Sequence, residues 1–134
     1  MRVLKFGGTS VANAENIKLV LDIVLNKAQE EKLVVVVSAL SKVTDLLQSA
    51  ASKAASNDES FKEIVAEIEK KHLEALKQLI PVSEQSGLLS HIKRIINHLE
   101  TLLDGCFLLS ELSPRTLDTI LSFGELLSSY IIAE

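Results

Sequence analysis

A single cysteine, Cys106, stands among 134 residues, so no disulfide can form within the chain. A cytoplasmic setting and a buried, inert thiol are the expectations that follow. Positive charge is also in short supply. Fourteen Lys and Arg face 18 Asp and Glu, a formal net charge of −4, which argues against a nucleic-acid partner held by a basic surface. No apolar run approaches the roughly 20 residues that cross a bilayer, so no membrane partner is expected. The opening "MRVLKFGG" meets charge and glycine before the apolar region of a signal peptide could form. Repeats, low-complexity tracts and internal linkers are missing as well. What is present, 47% hydrophobic and 24% charged residues, describes a globular chain of one domain or a piece of a larger one.

Hydrophobic periodicity divides the chain into a short α/β start and a long helical remainder. "RVLKF", Arg2 to Phe6, reads as a strand closed by Gly7-Gly8. From about Asn13 to Glu30, Ile17, Val20, Leu21, Val24, Leu25 and Ala28 recur at helical spacing and form one buried stripe. "LVVVV", Leu33 to Val37, is a continuous β-branched run of the kind covered on both faces in parallel sheets. Strand, helix and strand make a βαβ unit over residues 1–38, with a right-handed crossover.

The helical region covers residues 44–134. Thr44 to Ser56 is a short alanine-rich helix. Ser56 and Glu59 form a capping-box pattern that opens a long helix to about Leu79. Pro81 breaks the chain, and a second long helix runs from about Glu84 to Leu103, where Asp104-Gly105 stops it. The short connection makes these two helices an antiparallel hairpin. Ser113 as N-cap and Pro114 at the first helical position open a last helix with Gly124 as its weak point. Two strands alone leave exposed edges, so the chain reads as the front part of a longer domain.

Three stretches could carry chemistry. In "KFGGTS", an ammonium group sits in an apolar strand, and burying it unpaired would cost several kcal/mol, so something negative is expected opposite Lys5. Gly7 and Gly8 let the backbone turn with positive φ and bring N–H groups close to a ligand, and Thr9 and Ser10 add hydroxyls. These parts could cradle phosphate oxygens, although the spacing is not that of a P-loop. A glycine turn with Lys5 paired to a protein carboxylate serves equally well. In "VVVVSALSKVTDLL", Ser38 ends the second strand and Thr44 stands at the next helix start. Parallel strands would bring them to the same sheet edge as Gly7-Gly8, where open α/β sheets bind ligands. A simple N-cap at Thr44 and a loop hydrogen bond at Ser38 are the plainer readings. In "LSFGELLSS", Glu125 lies in an apolar helix next to Gly124, and either reaches a cation or faces solvent. A glycine there costs about 1 kcal/mol, a hint that something approaches closely. His91 and His98 lie seven apart on one helix and His72 on its partner, without the spacing of a zinc site.

The three stretches, in this order and around a helical insertion, resemble the aspartokinases of the amino acid kinase family. "MRVLKFGGTSVANAE" looks most like the bifunctional aspartokinase/homoserine dehydrogenases. The resemblance implies an α/β/α sandwich of the carbamate kinase-like type, present here as an incomplete N-terminal portion over residues 1–134. It implies ATP-dependent phosphorylation, with Mg2+, of the side-chain carboxylate of L-aspartate to 4-phospho-L-aspartate. That is the first step towards lysine, threonine, methionine and isoleucine. By position, Lys5 matches the lysine that holds the transferring phosphate. Gly7, Gly8, Thr9 and Ser10 match the phosphate-side turn, Ser38 and Thr44 match aspartate-contacting hydroxyls, and Glu125 matches the acidic residue that recognises aspartate. A homo-oligomeric full-length protein is implied too. The family's later segments, with a substrate-gripping arginine, an acidic catalytic residue and most of the nucleotide pocket, have no counterpart in the sequence. Its regulatory domains have none either, so the chain alone is expected to be inactive.

Two other readings compete. A sister kinase forming an acylphosphate on glutamate or N-acetylglutamate would share the glycine-rich lysine turn but not the "SxGExxS" pattern. A non-catalytic interaction module would use the helical hairpin as its surface and respond to neither ATP nor aspartate.

Overall fold

The computed structural model describes residues 1–134. Strand β1 (Arg2–Phe6) and strand β2 (Leu33–Val37) pair in parallel, with Phe6 opposite Val37 and Lys5 opposite Val36. Helix α1 (Ala14–Ala28) connects them. Asn13 caps it by accepting a hydrogen bond from the Asn16 N–H at 2.9 Å, which satisfies one of the donors a helix start leaves free. The βαβ unit is therefore present. Its sheet differs from the expected one, because only one face is covered. Phe6 and Val37 pack against the core, whereas Val3, Val34 and Val36 alternate with them and are exposed. Within this chain no element covers that second face, and Leu25, expected in the buried stripe of α1, is exposed too.

The core lies among the helices. Helix α2 (Val43–Ala55) touches α3 (Phe61–Leu79), α4 (Gln85–Leu109) and α5 (Pro114–Ala133). Its inward positions Ala50, Ala51 and Ala54 are fully buried. Their small side chains let three neighbours approach one axis, which is why an alanine-rich helix takes the centre. Phe61, Ile68, Leu76, Ile92, Ile96, Leu99, Leu103, Ile120 and Leu127 close around it. Pro81 and a 3-10 turn (Val82–Glu84) reverse the chain between α3 and α4, which pack as the expected hairpin. No helix is long and apolar enough to cross a membrane.

Three helix boundaries differ from expectation for local reasons. Ser56 ends α2 rather than opening α3, its hydroxyl donating to Ser52 O at 2.9 Å. Asn57 then reverses the chain at φ 59°, and Asp58 accepts from the Ser60 N–H at 2.9 Å to start α3. Asp104-Gly105 does not stop α4, because Leu103 and Cys106 continue the buried stripe. The helix runs on until Ser110, at φ 51°. Asn57 secures that end by donating to Phe107 O at 2.6 Å and accepting from the Ser110 hydroxyl at 2.7 Å, so one turn holds two helix ends. Helix α2 starts after Lys42, which takes a left-handed φ of 65° and makes no side-chain cap. Thr44 therefore does not cap the helix; it lies in its first turn.

The histidines are scattered in packing roles. His91 packs against Tyr130 with ring centres 4.1 Å apart and planes tilted by 58°, and His98 meets Phe123 edge-on at 5.4 Å. His72 is fully buried in α3, its Nδ1–H donating to Ile68 O at 2.6 Å while Nε2 has no partner. Burial holds its pKa below the ordinary histidine value. Folded protein thus binds this proton less readily than unfolded chain does. Stability is accordingly intact above the unfolded pKa, about 6.5, and declines as pH falls below it. Urea unfolding of the chain between pH 7.5 and 5.5 should show this decline, and His72→Met should flatten it. A decline of equal size in the variant would contradict the assignment.

Candidate functional site

Parallel pairing sends both strands out at the same edge. The loop after β1 turns tightly, with Ser10 and Val11 N–H groups donating to Gly7 O at 3.0 and 3.3 Å. Asn16 braces it by donating from Nδ2 to Thr9 O at 2.8 Å. The loop after β2 begins where the Ser38 N–H donates to Phe6 O at 3.2 Å, one residue beyond the strand. The two loops also meet, since a methyl group placed on Gly8 would lie 3.9 Å from Ala39 O.

The glycines turn without positive φ, contrary to expectation. Packing does not demand them either. A side chain on Gly7 would meet nothing within 4 Å, and on Gly8 only that ordinary contact. Neither conformation nor the chain's own neighbours account for two bare residues here.

Lys5 also differs from the sequence reading. It is exposed, on the uncovered sheet face with Val3, Val34 and Val36, and belongs to none of the chain's ion pairs. No carboxylate of this chain neutralises it. Glu125, on the exposed side of α5, is likewise outside every ion pair and borders a shallow groove with Val35, Val36, Val37, Ser122, Leu126 and Ser129. Val36 is the register partner of Lys5. A free ammonium and a free carboxylate thus flank one β2 residue, near the edge where both loops emerge.

Ser38 is half-buried at that edge. Its hydroxyl, like those of Thr9, Ser10 and Thr44, is missing from the hydrogen bonds that hold the chain together, while its carbonyl accepts from the Ser128 hydroxyl at 2.7 Å. The plainer readings, a loop-bonded Ser38 and a capping Thr44, do not hold. The structure brings Ser38, the glycine turn and the Glu125 helix to one region. Neither Ser38 nor Thr44, which is exposed in the first turn of α2, is among the residues that line the groove with Glu125. Sequence reasoning took Ser122 and Ser128 only as letters of the SxGExxS pattern, without a role, and it missed Ser129, one turn from Glu125, and Ala39. Gly124 does mark a close approach, but to the protein: a methyl group there would stand 2.8 Å from Ala39 Cβ.

The two kinds of glycine give opposite expectations. Gly7→Ala should leave urea stability unchanged or raise it by about 0.4–1 kcal/mol, through lost freedom of the unfolded chain. Gly124→Ala should cost about 1–3 kcal/mol from overpacking. The reverse order in equilibrium unfolding of the chain would show that the edge glycine is structural.

Comparisons with known proteins bear on this arrangement. The model of the amino acid kinase family matches residues 1–134. Aspartokinase 1, chloroplastic, from Arabidopsis thaliana is 40% identical over 134 residues, covering 98% of this chain and 22% of that protein. Bifunctional aspartokinase/homoserine dehydrogenase 2, chloroplastic, from the same plant is 34% identical over 131 residues, covering 98% of this chain and 14% of that protein. The crystal structure of E. coli aspartokinase III in complex with aspartate and ADP (R-state) superposes with a TM-score of 0.84 at 30% identity. That match covers 98% of this chain and 28% of the enzyme's. The chain thus spans between a seventh and about a quarter of the lengths of these relatives. With the family model matched from the first residue to the last, the chain belongs to the amino acid kinase family.

Proposed function

We propose that this chain is the N-terminal portion of an aspartate kinase catalytic domain, and that its sheet edge contributes to phosphoryl transfer from ATP to the side-chain carboxylate of L-aspartate. The observation that carries the reading is Lys5: an ammonium group without an acidic partner, on the strand that ends in glycines the fold itself does not require. The similarity to aspartokinases, one of them solved with aspartate and ADP, supports the choice of substrates. It also favours aspartate over glutamate or N-acetylglutamate as acceptor, and a catalytic role over an interaction module. The product, 4-phospho-L-aspartate, is the entry to lysine, threonine, methionine and isoleucine. A cytoplasmic setting is compatible with the lone, buried Cys106.

In the reaction a β-carboxylate oxygen attacks the γ-phosphorus in line, a P–O bond forms, and the bond to the bridging oxygen breaks to release ADP. Both partners are anionic, so the barrier contains their repulsion. Lys5 counters it by placing positive charge against the phosphate oxygens. Gly7 and Gly8 let a phosphate approach the turn, where backbone N–H groups and the Thr9 and Ser10 hydroxyls can donate. Glu125 takes the ammonium group of aspartate, and Ser38 and Thr44 donate hydroxyl bonds to its carboxylates. No group of three His, Cys, Asp or Glu side chains in the chain is placed to hold a metal ion. These residues therefore make no cage for Mg2+, which would arrive on the nucleotide's own oxygens.

Steady-state kinetics of the complete kinase test the roles. Lys5→Ala should lower kcat by about 10²-fold or more, the scale of a lost electrostatic donor to the transition state. Unchanged kcat would refute its role. Glu125→Ala should raise the KM for aspartate and leave that for ATP within about 2-fold, because it removes binding of one substrate only. The opposite split would exchange the roles. The isolated chain should show no turnover.

A further inference from the structure

Gly124 and Ser128 stand one helical turn apart on the buried face of α5, on either side of Glu125, and both engage the loop after β2. The Gly124 backbone lies so close to Ala39 that an added methyl group would be 2.8 Å from its Cβ, 3.4 Å from Leu47 Cδ1 and 3.6 Å from Val43 Cγ1. Neither Ala39 Cβ nor the loop backbone behind it can swing aside as the end of a long side chain would. Ser128 has no exposed surface, and its hydroxyl donates to Ser38 O at 2.7 Å, a bond linking residues 90 apart in sequence. The Ser128 hydroxyl also lies 3.2 Å from Glu125 O, within its own helix. One contact thus sets how closely the helix approaches the loop, and the other sets its register along it.

We infer that Gly124 and Ser128 are positioning residues that fix the separation between the Glu125 carboxylate and the Ser38 hydroxyl, and with it the fit of the amino-acid substrate. The inference rests on the proposed roles of Ser38 and Glu125. Neither Gly124 nor Ser128 need touch substrate. Their effect passes through α5 and through the Ser38–Ala39 backbone, so it falls on the amino acid rather than on the nucleotide at the Lys5 side.

A methyl exchange across the contact tests this in the complete kinase. Gly124→Ala pushes α5 off Ala39 and should raise the KM for aspartate about 10-fold, below the roughly 100-fold that a 1 Å misplacement can cost. The KM for ATP should move less than about 2-fold, since binding of only one substrate is disturbed. Adding Ala39→Gly removes the obstructing methyl and should bring the aspartate KM back to within about 3-fold of wild type, the coupling expected of residues in contact. Ser128→Ala, which removes one oxygen and adds no bulk, should raise the aspartate KM in the same selective way, and it serves if Gly124→Ala does not fold. The inference is overturned if Ser128→Ala and Gly124→Ala leave the aspartate KM alone while Glu125→Ala raises it. It is also overturned if Gly124→Ala lowers the melting temperature and all kinetic constants together without rescue by Ala39→Gly. Unaltered kinetics in Lys5→Ala and Glu125→Ala would instead refute the proposed function itself.

Discussion

The parallel pairing of β1 with β2 is the constraint on which the rest depends. Because α1 carries the chain back to the start of the sheet, both strands end at one edge, with Phe6 opposite Val37. An antiparallel pair would have put the glycine turn and Ser38 at opposite ends. Lys5 to Ser10 on one strand and Ser38 on the other then suffice to gather hydroxyls, bare backbone and an ammonium group within one region. Parallel pairs contribute slightly less per residue than antiparallel ones. A two-stranded sheet is held here by the helices behind it, with Phe6 and Val37 packed on the core.

The helices serve the edge from a distance. Helix α2 is central because its alanines are small, and α5 approaches the same loop because residue 124 has no side chain. Rigid packing on one side and an uncovered sheet face on the other give the edge two different characters. On the packed side, positions are held by close contacts that tolerate no added methyl group. On the open side, Lys5, Gly7 and Glu125 have space and no charge partners in the chain.

Much of this was legible in the residues. Apolar stripes located α1, α3 and α4, an alanine-rich run located α2, the Ser113-Pro114 start signal located α5, and short apolar runs located both strands. Boundaries were less legible where a local signal competed with tertiary burial. Ser56 and Glu59 satisfy a capping pattern, yet Asn57 and Asp58 supply a stronger turn, with Asn57 tied to Phe107 and Ser110 far along the chain. Asp104-Gly105 reads as a stop only if the burial of Cys106 is unknown. The expected burial of Lys5 failed for a related reason: an unbroken apolar run predicts cover on both faces, but it cannot say that this chain supplies only one cover. Glu125 stood out as a charge within an apolar helix, whereas Ser128 entered only as the last letter of the SxGExxS pattern. The bond to Ser38, across the fold, is what gives it a structural role.

The account stands on the claim that the Lys5 ammonium is reserved for phosphate rather than for a protein acid. A crystal structure of the complete kinase with a non-hydrolysable ATP analogue and aspartate measures this directly. The account predicts Lys5 Nζ within about 3.2 Å of a phosphate oxygen, the range of a charge-assisted hydrogen bond, with no carboxylate closer. Lys5 paired with an aspartate or glutamate from another part of the polypeptide, and turned away from the nucleotide, would contradict it.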